Sequence, residues 1–159
     1  MQLEVDGWKT DIRFSAAHFL PSHTKCSRLH GHDYFVRAKI FGETEGEFVV
    51  DYLEVIQQLK FITARMDHRL LVPTKSELSR YTITGDTCVI SYGEKEIRVS
   101  RNDIFELPAT SSASEEISRY VAEELRDQLS GNKNIEKIMV CVDEGPGMGA
   151  CYEIKFTRQ

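Results

Sequence analysis

The chain has 159 residues, 41% of them hydrophobic and 28% charged, with a net charge of −5. That length fits a single domain over 1–159 with a real core, and the acidic balance argues against a nucleic-acid grip, which relies on a basic face. No apolar run is long enough to span a bilayer, and the start lacks the basic and apolar regions of a signal peptide; no membrane partner is expected, and the expected compartment is cytoplasmic.

The first predicted element is a strand from Trp8 to Phe19, in which Ile12, Phe14 and Ala16 alternate with Asp11, Arg13 and Ser15. His18 continues the apolar side. A second strand is predicted over 30–41, where Tyr34, Phe35, Val36, Ile40 and Phe41 are β-branched or aromatic. His30 and His32 are two apart and leave the same face of an extended chain. An antiparallel neighbour would set His18 opposite that pair. Three neutral imidazoles at one point make a zinc site with its fourth position open, the arrangement of a catalytic zinc. Cys26, four residues before His30, reads in three ways: a thiolate beside the metal, a fourth ligand of a closed structural site, or a small buried hydrophobe.

A helix is predicted from Tyr52 to Met66, with Tyr52, Val55, Ile56, Leu59, Ile62 and Met66 at helical spacing and Asp51 as N-cap. Asp67 and His68 follow it, and on their own read as a pair at the helix C-terminus that complements its dipole. From Val72 to Pro108 the chain reads as a small β insertion. Its strands fall at Tyr81–Thr84, Thr87–Ser91 and Glu96–Ser100, with turns at Gly85-Asp86 and Gly93-Glu94. A second helix is predicted from Ser114 to Leu129, stopping at Ser130-Gly131; Ser112 and Glu115 have capping-box spacing, with Ser114 as a competing cap. Two more strands, Ile135 to Val142 and Ala150 to Phe156, flank a Gly-rich turn from Glu144 to Gly149. Within that turn Glu144 alone reads as a solvated carboxylate, and His23 reads as a loop residue.

Cys26, Cys88, Cys141 and Cys151 form no C-x-x-C, so neither a disulfide framework nor a thiolate zinc site is expected. The last three are expected to pack on strands. The order strand, strand, helix, helix, strand, strand predicts an α+β fold, a sheet with two helices on one face. The exposed edges of such a sheet could be protected by pairing with other subunits into a closed barrel.

Four stretches carry a resemblance: Phe14-Ser15-Ala16-Ala17-His18, Cys26 through Tyr34, Met66-Asp67-His68-Arg69-Leu70-Leu71, and Glu144 through Tyr152, with Val49-Val50-Asp51-Tyr52 as a weaker fifth. In these the chain resembles the 6-pyruvoyl-tetrahydropterin synthase/6-carboxytetrahydropterin synthase family, which has the T-fold. The resemblance implies that His18, His30 and His32 hold Zn2+, that Cys26 is the general base, and that Asp67 and His68 complete a proton-transfer set. It implies that Glu144 anchors the pterin ring through an acceptor-only carboxylate. It also implies a homo-oligomer, a hexamer of two stacked trimeric barrels with the site where subunits meet. The implied substrate is 7,8-dihydroneopterin triphosphate, with Lys25 and Arg28 as candidates for its phosphates. The spacing of Cys26 from His30 resembles the enzymes that make 6-carboxytetrahydropterin, losing acetaldehyde and triphosphate, on the route to queuosine or archaeosine. The 6-pyruvoyl product and a non-catalytic pterin- or metal-binding protein are the alternatives.

Overall fold

One long strand organises the molecule. In the computed structural model, which describes residues 1–156, β3 (His30–Gly42) runs for 13 residues. Along one side its first half pairs antiparallel with β2 (Arg13–His18), and its far half pairs with β1 (Gln2–Val5). Its other side pairs antiparallel with β9 (Ile135–Gly145), which forms a hairpin with β10 (Met148–Lys155). The expected antiparallel sheet is extended beyond β2 by two parallel strands, β4 (Arg69–Pro73) and β8 (Ile104–Leu107). The result is a seven-stranded sheet in the order β10-β9-β3-β2-β4-β8, with β1 beside β3.

Strand alternation decides the faces. Phe14 and Ala16 of β2, Tyr34, Val36, Ala38 and Ile40 of β3, and Ile138, Val140 and Val142 of β9 all point into one buried layer. Helices α2 (Tyr52–Ala64) and α3 (Ser114–Gln128) cover that layer. α2 contributes Val55, Leu59 and Ile62, and α3 contributes Ile117, Val121 and Leu125, all fully buried. Truncating Leu59 or Ile62 to alanine would cost about 2–5 kcal/mol. Tyr52, expected on the apolar face of α2, is exposed because it opens the first turn beside its cap. The Asp51 cap itself is in place, its carboxylate accepting from the Leu53 amide at 2.8 Å.

Three other expectations are corrected. The stretch from Trp8 to Thr10 is not strand: Asp6 caps a four-residue helix, α1 (Gly7–Thr10), by accepting from the Trp8 amide, and Asp11 ends it in the left-handed region at φ 54°. The strand begins only at Arg13. The capping box before α3 does not form; the N-cap is Ala113, and Ser112 is buried and turned elsewhere. The turn between β9 and β10 is only Pro146-Gly147, with Gly147 at φ 78° as a Pro-Gly turn requires, so Glu144 lies on the strand.

A fourth correction concerns sulfur. Cys141 and Cys151 face each other directly in the β9/β10 register and form a disulfide; Cys26 and Cys88 are free. The hairpin register creates the pair, and a spacing of 10 residues carries no signature of it in the sequence.

The insertion is a separate three-stranded sheet: β5 (Arg80–Thr84), β6 (Thr87–Tyr92) and β7 (Lys95–Ser100), followed by one 3-10 turn at 101–103. Its buried Cys88, Ile90 and Tyr92 pack on Phe19, Leu70 and Val72, forming a second, smaller core. Among the described residues, no helix is long and apolar enough to cross a membrane.

Candidate metal and proton-transfer site

His18 closes β2, and His30 opens β3 directly opposite it in register. His32 lies two residues on, on the same face. Gly31 between the two is forced by the close approach of β2: an added Cβ would stand 2.7 Å from the Ala16 carbonyl oxygen. The ligand atoms of the three rings lie within 4.8 Å of one another.

The surroundings fix how each ring is presented. His18 Nδ1 meets the Ser112 carbonyl at 2.7 Å, and His30 Nδ1 meets the Arg28 carbonyl at 2.7 Å. A carbonyl only accepts, so each ring carries a proton on Nδ1 and turns Nε2 toward the cluster. Burial drives the His18 pKa down to about 4, against the Ser112 hydrogen bond and with help from His30 and His32, so this ring is neutral. The two Nε2 atoms face each other at 3.0 Å. His32 Nε2 is buried with no hydrogen-bond partner. Three convergent ring nitrogens, one of them buried without a partner, fit a cation. The 3.0 Å between His18 and His30 is near the roughly 3.3 Å between ligands of one tetrahedral zinc.

A cavity of about 330 Å³ opens over this cluster, lined by Lys25, Cys26, Arg28, His18, His30, His32 and Glu144 among others. Glu144 comes from the end of β9, its Oε2 3.9 Å from His32 Nε2. Beneath the cluster lies Tyr34, fully buried, stacked on Phe14 and edge-on to His18 and His32. Burial, reinforced by the Glu144 charge, pushes its phenol pKa far up and keeps it neutral.

Asp67 and His68 lie elsewhere in the chain. They follow α2 and cap the backbone of β2: the Ser15 amide donates to the Asp67 carboxylate at 2.8 Å, and the His68 amide donates to the Ser15 carbonyl at 2.7 Å. His68 holds φ 57°, and its Nδ1 meets the Asp67 carboxylate at 2.8 Å. Burial would raise the Asp67 pKa, but the Ser15 amide and His68 outweigh it and hold it below its ordinary value. His68 is largely exposed and lines a second cavity of about 590 Å³, with Ser15, Ala17, Gly31 and Asp33 of the sheet face opposite the core. One chain therefore gathers the three histidines, Cys26 and Glu144 in one cavity and sets His68 in another, with His32 and Leu29 lining both.

Sequence reasoning missed two contributors. Ser112 gives its carbonyl to His18, while its hydroxyl donates to the Phe19 carbonyl at 3.0 Å. His23 Nδ1 accepts from the Cys26 amide at 3.0 Å and shapes the Cys26 loop. The Ser112 role has no sequence pattern, because it depends on residues 94 apart meeting across the fold; the His23 contact is local, spanning three residues of one loop.

A sequence model described as 6-pyruvoyl tetrahydropterin synthase matches residues 8–155. The chain belongs to this family. Among curated relatives, a putative 6-carboxy-5,6,7,8-tetrahydropterin synthase of Methanocaldococcus jannaschii is 36% identical over 156 residues, covering 96% of each chain. One of the same description from Pyrococcus horikoshii is 29% identical over 149 residues, covering 92% of this chain and 87% of the relative. The fold superposes on the 6-pyruvoyl tetrahydropterin synthase of Plasmodium falciparum with a TM-score of 0.89 at 23% identity, covering 98% of each chain. The Caenorhabditis elegans enzyme of that name gives 0.60 at 20% identity, covering 99% of this chain and 96% of that one. The α+β architecture, with its mostly antiparallel sheet and helices on one face, is the T-fold.

Proposed function

We propose that this protein converts 7,8-dihydroneopterin triphosphate to 6-carboxy-5,6,7,8-tetrahydropterin with loss of acetaldehyde and triphosphate, supplying a 7-deazapurine pathway of the queuosine or archaeosine type. The observation that carries the reading is the set of three converging imidazole nitrogens in one cavity with Cys26 and Glu144. Relatives described as putative synthases of that product support the choice of reaction. A zinc ion held by His18, His30 and His32 would supply Lewis-acid polarisation of the substrate's side-chain oxygens.

The chain's own groups do the rest. Glu144 accepts from the pterin ring's amino group and ring N–H, fixing the ring in the cavity. Cys26, as thiolate, takes the proton from the side-chain carbon. His68 returns a proton, its ring orientation and tautomer set by Asp67 through Nδ1. Lys25 and Arg28 line the cavity, and in this reading they would pair with the triphosphate. Because His68, with Asp67 bonded to it, is absent from the lining of the Cys26 cavity and lines the other one, we infer that a complete site draws this pair from a neighbouring copy. That reading accords with a hexameric assembly of two stacked trimeric barrels.

The experiment is product identification by mass spectrometry after incubating zinc-loaded protein with 7,8-dihydroneopterin triphosphate. 6-Carboxytetrahydropterin with acetaldehyde is expected. A 6-pyruvoyl product would keep the site and change the pathway, and no turnover with zinc bound would favour a non-catalytic pterin-binding role. Cys26→Ala is expected to abolish turnover and spare zinc; loss of zinc in that variant would make Cys26 a ligand of a closed structural site.

A further inference from the structure

The inserted sheet β5–β7 is not needed to complete the main sheet, since β4 and β8 pair with each other directly. Besides packing on β4 and β8, it reaches the chain around the candidate site. The Tyr92 ring stacks on Phe19 with centroids 4.4 Å apart, and Phe19 is the residue after His18. The Tyr92 hydroxyl donates to the Ser27 carbonyl at 2.9 Å, and Ser27 is the residue after Cys26. Across the Gly93-Glu94 turn, the Lys95 ammonium donates to the same carbonyl at 3.0 Å and to the Ser27 hydroxyl at 3.1 Å. Two donors, one of them charged, thus occupy both lone pairs of one carbonyl.

Segment 20–28 has few other ties. Leu20 to Cys26, Cys26 to His23 and Ser27 to His23 are hydrogen bonds within the segment, and Arg28 bonds only the adjoining His30 ring and Lys25. Among the described residues, the hydrogen bonds that join this segment to a distant part of the chain come from Tyr92 and Lys95. A loop held only by itself opens at little cost, so these contacts decide how firmly Cys26 faces the histidine cavity.

We propose that the insertion is a strut for the Cys26 loop, and that Tyr92 and Lys95 are positioning residues that act on the reaction through Ser27. The part of this that concerns turnover rests on Cys26 being the proton acceptor; the part that concerns the loop does not. The insertion fixes the chain one residue beyond His18 and one residue beyond Cys26. It thereby sets the distance between the metal-ligating strand and the reactive sulfur.

The test combines amide hydrogen exchange with steady-state kinetics on the full-length protein. In the double variant Tyr92→Phe/Lys95→Met, exchange in peptides covering 20–29 is expected to rise about tenfold or more, while β3 and β9 peptides stay unchanged. With 7,8-dihydroneopterin triphosphate, kcat is expected to fall about tenfold with KM within about twofold. Lys95→Arg keeps a charged donor on Ser27 and should retain both properties. Tyr81→Phe, which removes an exposed 2.6 Å hydrogen bond to Glu106 without touching Ser27, controls for loss of a tyrosine hydroxyl elsewhere in the same sheet and should leave exchange over 20–29 and kcat unchanged. Unchanged exchange over 20–29 in the double variant overturns the strut, as does a kcat loss in Tyr81→Phe equal to that of the double variant. Absence of turnover by the unaltered protein overturns the proposed reaction instead, and the exchange result still decides the strut.

Discussion

Removing the Asp143 carboxylate should destabilise the fold by more than a surface charge would. Asp143 is 5% exposed, yet it accepts three hydrogen bonds: Arg37 Nε and Nη2 at 2.9 Å each, and the Trp8 indole N–H at 2.8 Å. It ties β9 to β3 and pins α1, whose Trp8 stacks on Phe35 with centroids 3.6 Å apart. Breaking a fully buried pair costs about 3–5 kcal/mol. The Arg37 side chain is 33% exposed and can recover some water, so the cost of Asp143→Ala is discounted to about 2–3 kcal/mol. Urea denaturation of both single variants and of Asp143→Ala/Arg37→Ala closes a double-mutant cycle. A coupling below about 0.5 kcal/mol would refute the reasoning. The sign of the pH dependence follows too. Burial would raise the Asp143 pKa, but Arg37 and Trp8 outweigh it and hold it below the usual value. The stabilisation is therefore complete above the ordinary aspartate range, about pH 4, and is lost as pH falls through the lower native value. The stability gap between wild type and Asp143→Asn should narrow below about pH 4, and a gap that widens there would contradict the assignment.

Gly31→Ala should cost about 1–3 kcal/mol and weaken zinc binding, because its new methyl meets the Ala16 carbonyl; equilibrium denaturation and metal titration measure the two effects. Cys151→Ser should remove about 2–3 kcal/mol under oxidising conditions and nothing when the wild type is reduced, read from urea midpoints with and without dithiothreitol. Asp51→Ala, which loses the α2 cap, should cost about 1 kcal/mol by the same measurement. His32→Ala should abolish stoichiometric zinc uptake with little loss of stability, since the ring is partly exposed and its Nε2 makes no hydrogen bond.

Where periodicity was local, the sequence was readable. The alternation in 30–41, the helical spacing of Val55, Leu59 and Ile62, and the flanks of the final hairpin all became the elements expected. The histidine cluster was readable for the same reason, since His30 and His32 share a face by strand geometry alone. Non-local pairing was not readable. Leu70 to Pro73 is buried on both faces, so β4 has no alternation to announce it, and its parallel partners lie far off in sequence. Trp8 to Thr10 was drawn into the strand by extending the Ile12–Phe14–Ala16 alternation backward, past an Asp6 cap that acts over only one turn. Ser112 looked like a cap and proved to be the partner of His18, a role that exists only once residues 94 apart have met.

The position of the chemistry follows from the register of three strands. In β2, β3 and β9 the residues facing the helices are apolar along most of their length: Phe14 and Ala16, Tyr34 to Ile40, Ile138 to Val142. At one end of the sheet the same face continues as His18, as His32 and His30, and as Glu144. No change of face and no special loop is required; the core pattern runs on past its apolar residues, and polar side chains take the next positions. Tyr34, next behind His32 on that face, packs edge-on to His18 and His32, and Phe14 stacks on Tyr34. A one-residue slip of β3 against β2 would carry both of its histidines to the opposite face and bring Tyr34 and Val36 out of the core with them. The apolar packing that holds the sheet in register is therefore also what keeps the three imidazoles together, and the donor set cannot drift without unmaking the fold.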